Sequence, residues 1–84
     1  MEKTLLIILA SKRHRNAAAI QNVLTEYGCL IKTRLGIHDG VLDKCSDTGL
    51  IILELVGDKA EHDQLNKKIN FFEGVSTQLV SLGL

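Results

Sequence analysis

Two stretches of the chain, residues 5–10 and 50–56, are almost unbroken runs of apolar residues that favour strands. Side chains alternate between the two faces of a strand, so both faces of each run are apolar. Each run is followed, after a short polar break, by a pattern with helical spacing. Two helices can cover one face of a sheet, and we therefore predict that the second apolar face meets another protein chain.

The pattern in the first half of the chain predicts a strand, a helix and a second strand. The first strand covers residues 4–11, and the helix covers residues 17–27. We predict that Asn16 is the N-cap of this helix and that Gly28 ends it in a left-handed conformation. The second strand then covers residues 30–37.

The second strand alternates in the manner of an edge strand with one wet face. We predict that its apolar side chains and one threonine face inward and that two basic side chains face outward. The inward set is Ile31, Thr33, Leu35 and Ile37, and the outward pair is Lys32 and Arg34.

The second half of the chain repeats this order after a polar stretch. Residues 38–48 are polar and contain glycine, which predicts a long hairpin loop. A strand over residues 49–56 follows, then a helix that starts with a cap at Asp58 and ends at Gly74. The last strand covers residues 75–82.

The resulting order, βαββαβ, predicts a ferredoxin-like α/β sandwich in which two helices lie on one face of a four-stranded antiparallel sheet. Right-handed crossovers place the first and third strands in the middle of the sheet, in agreement with their apolar character. A length of 84 residues predicts a single domain over residues 1–84.

Composition narrows the classes of partner. Ten basic and ten acidic residues cancel, which argues against direct contact with nucleic acid. No apolar stretch approaches the roughly 20 residues of a membrane span, and no secretory signal is evident. Cys29 and Cys45 have no zinc-finger or CxxC spacing. We predict a cytoplasmic protein with free thiols and no membrane contact.

Three segments carry a resemblance to a known family: "VLTEYGCLIKTRLGI" at residues 23–37, "GLIILELVGD" at 49–58 and "FFEGVSTQLV" at 71–80. Over nearly its whole length the chain resembles the small ACT-like proteins called iron-only hydrogenase system regulators. The resemblance implies a ferredoxin-like fold, self-association and a regulatory role. The related ligand domain of nickel-responsive regulators carries histidines near the end of its second strand and a cysteine soon after, and His38 and Cys45 are similar to that layout.

A basic segment precedes the first predicted helix, where free backbone N–H groups favour anions. We predict that it binds a small anionic effector, the alternative being a solvated turn. The predicted ligand-binding residues are Lys12, Arg13, His14, Arg15 and Asn16.

The loop over residues 38–48 carries a second hypothesis. His38 and Cys45 offer nitrogen and sulfur ligands to a transition metal, with three aspartates nearby in the same loop. The alternative is a polar loop with an incidental thiol and no cofactor. His62 is predicted to be a surface residue, and Cys29 to be a small buried one.

No nucleophile elbow, P-loop or dinucleotide fingerprint is present, so we predict that the protein is not an enzyme. We predict a small-ligand-sensing, transcription-associated regulatory module that acts through a homo-oligomer, a dimer or tetramer, and through a protein partner. Two alternatives stay open: a metal-binding sensor that uses residues 38–48, and a purely structural interaction protein.

Overall fold

The computed structural model describes the main chain of residues 1–11, 13–41 and 44–84, and the side chains of residues 1–11, 15–37 and 48–84. The elements in chain order are β1 (Glu2–Ala10), α1 (Arg13–Glu26), a short 3₁₀ turn (Gly28–Leu30), β2 (Ile31–Val41), β3 (Lys44–Leu55), α2 (Lys59–Asn70) and β4 (Val75–Gly83). The sheet is antiparallel with the strand order β2-β3-β1-β4. The predicted ferredoxin-like order, with the first and third strands in the centre, is confirmed.

The core lies between one face of the sheet and both helices. Its strand residues follow the alternation of β1 and β3, and its helix residues recur at helical spacing in α1 and α2. Side chains of both helices belong to the same buried cluster, so the helices lie on one face of the sheet. The cluster consists of Leu6, Ile8, Ala10, Ile20, Leu24, Leu53, Leu55, Leu65 and Ile69.

A β-bulge near the start of β2 reverses the predicted orientation of this strand. Ile31 faces Leu55 across the ladder, but Thr33 faces Glu54, the very next residue of β3 in that direction. One extra residue on β2 shifts the alternation by one position, and side chains beyond it change face. The prediction that Leu35 faces inward is therefore wrong.

Beyond the bulge, the apolar and basic side chains of β2 have exchanged faces. Arg34 faces Leu53 and lies on the helix side, whereas Leu35 and Ile37 face Ile52 and Leu50 on the other side. Leu35 is 52 % exposed and Ile37 is 44 % exposed. The predictions that Arg34 points outward and Ile37 inward are wrong for the same reason.

On the face of the sheet opposite the helices, the part formed by β1, β2 and β3 carries a continuous apolar patch that no other element of the described chain covers, and Ser76 and Gln78 of β4 border it. Leu9, at 49 % exposure, lies on it together with Leu35 and Ile37 of β2. We call it the open sheet face: Leu5, Ile7, Leu9, Leu35, Ile37, Leu50 and Ile52. This confirms the sequence-based expectation that each central strand is apolar on both sides.

The two helices differ at their N-termini: α2 has the predicted N-cap residue, whereas α1 does not. Asp58 is the N-cap of α2, as predicted, and its carboxylate accepts a hydrogen bond from the backbone N–H of Glu61 at 2.9 Å. Helix α1 begins at Arg13, so Asn16 lies inside the helix and the predicted N-cap is wrong. Its side-chain amide donates instead to the carbonyls of Ser11 and Glu73, at 3.1 and 3.0 Å.

Residues 38–41 and 44–48 of the predicted loop continue the β2–β3 ladder, and residues 42 and 43 lie outside the described residues. Gly40 faces Cys45 and Val41 faces Lys44, so the described part of this segment is antiparallel strand. Pairing with β1 stops at Gly49, and the two strands continue past it as a ribbon. A two-stranded ribbon is held by main-chain hydrogen bonds and needs no apolar face. The polar composition of this segment therefore gave no sign of a strand.

Candidate functional site

A cleft of about 340 Å³ opens between the first half of α1 and the helix side of β2 and β3. We call it the α1–β2 cleft. It exists because small residues line its floor: Gly36 and Gly49 carry no side chain, and Ala10 carries a single methyl group. A Cβ atom added at Gly36 would meet no atom within 4 Å. The apolar side chains of the lining are those of Ala10, Ala17, Ile20 and Ile51, and Ile37 and Leu50 border the cleft from strands whose side chains at these positions lie on the opposite face of the sheet.

Arg34 supplies a positive charge to the wall of this cleft. Its Nη1 donates a hydrogen bond to Oε1 of Gln21 at 2.6 Å, and this contact ties the strand to helix α1. Gln21 is neutral, and within the described part of the chain no carboxylate lies at ion-pair distance from Arg34. The charge of the guanidinium is therefore not balanced by any described carboxylate, and the group keeps N–H donors that can bind an anion.

Asn16 supplies the second polar group of the cleft lining. Its side chain is buried, with 8 % of the residue exposed. Both hydrogens of its amide nitrogen are engaged by the carbonyls of Ser11 and Glu73. Oδ1 has no hydrogen-bond partner among the residues that the structure describes. A buried acceptor without a partner is costly, so this oxygen favours a ligand or water that donates a hydrogen.

The sequence-predicted basic segment surrounds the start of α1. Arg15 is exposed on the first turn of α1, and Asn16 is the next residue. The main chain of Arg13 and His14 belongs to that turn, but their side chains and all of Lys12 lie outside the described residues. The anion-binding prediction for the whole segment stays a prediction, and Asn16 is the member that the structure brings to the cleft.

The predicted metal ligands His38 and Cys45 lie on neighbouring strands of the ribbon. Cys45 faces Gly40, and His38 faces Gly49. Their side chains lie outside the described residues. Among the side chains that are described, no group of three His, Cys, Asp or Glu residues could hold a metal ion. The metal site stays a prediction.

Three other sequence-based expectations about single residues are wrong. His62 is buried at 6 % exposure, and its Nε2 lies 2.8 Å from the carbonyl oxygen of Val56. Cys29 is exposed and free. Gly28 does not end α1 in a left-handed conformation, because the described glycines with positive φ are Gly57 and Gly74.

No helix in the described part of the chain has the length and apolarity needed to cross a bilayer.

Sequence reasoning missed Arg34 and Gly36 as cleft residues. Both belong to the helix side of β2 only because the bulge precedes them. Simple alternation along the strand predicts that Arg34 and Gly36 lie on the face opposite the helices. No local motif marks the extra residue of the bulge that changes this. Gly36, an unusual residue for a strand interior, was the available signal of a close approach or an open space.

A polar corner borders the open sheet face at one end. Lys3 Nζ donates a hydrogen bond to Glu54 Oε2 at 2.7 Å, Lys32 Nζ lies 4.0 Å from the same oxygen, and Thr33 Oγ1 donates to Oε1 at 3.3 Å. The hydrogen bond from Lys3 is the main cause that lowers the pKa of Glu54 below its ordinary value of 4.5. The same bond raises the pKa of Lys3.

We expect Glu54 to titrate below 4.5 in a carboxyl ¹³C NMR titration and to return toward that value in a Lys3→Met variant. A carboxylate with a lowered folded-state pKa stabilises the fold above its unfolded pKa, and this contribution is lost as the pH falls through the folded value. A Lys59→Met control should leave Glu54 unchanged, because Lys59 pairs with Asp63. An unmoved Glu54 in the Lys3 variant would contradict the assignment.

No protein-family model matches the sequence. A search of curated proteins gives no match either. Among solved structures, the chain is similar to an uncharacterized protein from Thermotoga maritima, with 21 % identity and a TM-score of 0.82 over 99 % of this chain and 100 % of that one. The shared architecture is that of ferredoxin-like α/β sandwiches.

The chain is also similar to two solved structures of PII-like proteins. CPII from Thiomonas intermedia, a nitrogen regulatory PII-like protein bound to ADP, AMP and bicarbonate, shares 14 % identity and a TM-score of 0.61 over 100 % of this chain and 96 % of that one. A candidate PII-like signaling protein from Thermus thermophilus shares 10 % identity and a TM-score of 0.66 over 98 % and 88 %. At these identities the likeness shows the fold.

Proposed function

We propose that this chain is a small-ligand-sensing regulatory module whose effector, a small organic anion, binds in the α1–β2 cleft. The observation that carries the proposal is the composition of that cleft. An apolar floor is combined with two polar groups that are unsatisfied by the described residues: the guanidinium of Arg34, which has no carboxylate at ion-pair distance among them, and the buried acceptor Oδ1 of Asn16, which has no hydrogen-bond partner among them. Few polar groups in an apolar cleft are the usual composition of a small-molecule site.

The charge of the effector follows from Arg34 and from the predicted basic segment. A carboxylate or phosphate group would accept hydrogen bonds from the guanidinium, and the apolar body of the effector would lie on Ile20 and Ile51. A hydroxyl or N–H group of the effector would donate to Asn16. Arg15 and the predicted contributions of Lys12, Arg13 and His14 would add positive charge near the start of α1.

The fold supports this class of ligand. CPII, on the same fold, is described as bound to ADP, AMP and bicarbonate, which are all anions. For this chain we propose only the general class of ligand, an anionic metabolite. ADP, AMP and bicarbonate are ligands of CPII, and we do not propose them individually for this chain.

Regulation would pass through assembly. We propose that a second copy covers the open sheet face and that the homo-oligomer is a dimer or tetramer. Ile37 and Leu50 belong to the open sheet face and also line the cleft. An effector in the cleft therefore contacts the strands that form the proposed subunit contact, and it would favour the assembly state it binds better.

The finer functional assignment rests on the sequence resemblance. We propose membership of the iron-only hydrogenase system regulators and an indirect role in transcription through a protein partner, without direct nucleic-acid contact. The balance of ten basic and ten acidic residues supports the last point.

Native mass spectrometry of the protein isolated from the cells that produce it tests the ligand proposal. We expect an added, reproducible mass on the unmodified protein. We expect its loss in Gly36→Leu, which fills the cleft, and in Arg34→Gln, which removes the charge. Gly28→Leu is the matched control, because a Cβ at Gly28 also meets no atom within 4 Å but lies away from the cleft.

The outcomes separate the proposal from its alternatives. An added mass that persists in both cleft variants would contradict binding in the α1–β2 cleft. An added mass that disappears in Gly28→Leu as well would show that the effect does not depend on the cleft. A bare oligomer would favour the purely structural interaction protein.

A further inference from the structure

The two strand–helix–strand halves of the chain begin their helices with the same arrangement. Asn16 is the fourth residue of α1 and His62 is the fourth residue of α2. Both are buried, and each contacts the carbonyl of the first residue after the preceding strand, Ser11 or Val56. Asn16 lines the cleft between its helix and the sheet, and His62 holds the corresponding position in the second half of the chain.

A second cleft is present there, between α2 and the helix side of β1 and β4. We call it the α2–β4 cleft. Glu2 and Thr4 line it from the start of β1, whereas Ala10, at the other end of β1, lines the first cleft. The two clefts therefore lie at opposite ends of the sheet. The second has a volume of about 1050 Å³.

His62 leaves one buried acceptor at the α2–β4 cleft. The carbonyl oxygen of Val56 can only accept a hydrogen bond, so the 2.8 Å contact assigns the ring hydrogen to Nε2. In the neutral imidazole, Nδ1 then carries a lone pair. It has no hydrogen-bond partner in the described part of the chain, although His62 is only 6 % exposed. A buried acceptor of this kind favours a ligand that donates a hydrogen.

The charges around this cleft have the opposite sign to those of the first. Asp63 Oδ2 lies 3.0 Å from Lys59 Nζ, so that pair is neutral overall. Glu2 has no cation within ion-pair distance among the described residues. The lining therefore carries two carboxylates and one ammonium. Leu55 and Leu79 add apolar surface beside them.

We propose that the α2–β4 cleft binds a small organic ammonium, a protonated amine on an apolar body. An N–H group of the ligand donates to Nδ1 of His62, its charge is attracted by Glu2, and its carbon chain lies on Leu55 and Leu79. An anion is disfavoured there because the lining has a net negative charge. The site differs from the anion site of the proposed function in position, charge and residues, so either can exist without the other.

The test is an NMR titration of the ¹⁵N-labelled full chain with n-butylammonium chloride, with tetramethylammonium chloride as a cation that has no N–H group. We expect saturable shifts in the amides of residues 55–63 and 79–81 and an upfield shift of His62 Nδ1 with butylammonium alone. Glu2→Gln should weaken binding by about two- to fivefold, the usual effect of losing one exposed charge. Glu61→Gln, an exposed acid outside the cleft lining, should leave the affinity unchanged.

Each other outcome overturns the proposal. Equal shifts with tetramethylammonium would mean that charge alone is responsible and that His62 accepts no hydrogen bond. Equal weakening by Glu61→Gln would indicate a general electrostatic effect. The absence of saturable shifts would exclude an ammonium site in the α2–β4 cleft, and it would leave the anion site of the other cleft unaffected.

Discussion

The Leu35→Glu variant is expected to be a monomer under conditions in which the unmodified protein is an oligomer. Leu35 is 52 % exposed on the open sheet face, so a glutamate there is solvated in the free chain. When a second copy covers that face, the carboxylate loses its water without gaining a partner. Burial of an unpaired charge costs several kcal/mol, so association should weaken by at least about a hundredfold.

Phe71→Glu provides the matched control for this prediction. Phe71 is 86 % exposed and apolar, but it follows α2 on the helix side of the sheet. The same change of side-chain type should therefore leave the oligomer intact. Sedimentation velocity measures the assembly, and circular dichroism checks that both variants are folded. Equal dissociation by both variants, or an unchanged oligomer with Leu35→Glu, would contradict the assignment of the interface.

Gly74→Ala is expected to lower the free energy of unfolding by about 2–4 kcal/mol. Gly74 has a φ of 77°, a conformation that alanine adopts at a cost. A Cβ atom there would lie 2.5 Å from Ser11 Oγ. That hydroxyl donates to the carbonyl of Gly74 at 2.9 Å, and the backbone N–H of Ser11 donates to the same oxygen at 2.8 Å. Strain and a disturbed hydrogen bond therefore act together.

Gly36→Ala is the control for the stability prediction, measured by urea unfolding of both variants. A Cβ at Gly36 meets open space, and its φ lies outside the positive range. The alanine reduces the freedom of the unfolded chain there, so we expect a change of about 0 to 1 kcal/mol toward higher stability. Similar destabilisation by the two alanines would show that the contacts of Gly74 with Ser11 carry little free energy.

Features that depend on local pattern could be predicted from the sequence. The two apolar runs identify the central strands because only a strand flanked on both sides and apolar on both faces accommodates them. Asp58 was identifiable as a helix cap because its side chain acts on a donor three residues away. Gly74 was identifiable at the end of the α2 region, where a left-handed residue often follows a helix.

Features that depend on distant contacts could not be predicted. The bulge at residues 31–33 arises from register with β3, and it moves Arg34 into the cleft and Leu35 out of the core. Asn16 looked like a helix cap, but one of its partners, Glu73, is 57 positions away in the chain. His62 looked like a surface residue on a polar segment, and its burial depends on packing of α2 against the sheet.

The strand order also determines how the molecule can fold. In the β2–β3 pairing, Val41 faces Lys44, so this ladder closes between near neighbours. Strand β1 instead pairs with distant segments: the nearest partners are 39 positions apart in the β1–β3 ladder, Ala10 and Gly49, and 65 positions apart in the β1–β4 ladder, Ala10 and Val75. Pairing of distant segments has a larger entropic cost of loop closure, so we expect it to form later than the β2–β3 ladder. Until β3 and β4 pair with it, both faces and both edges of β1 are exposed, so a partly folded chain presents an apolar strand that can pair with other chains and aggregate.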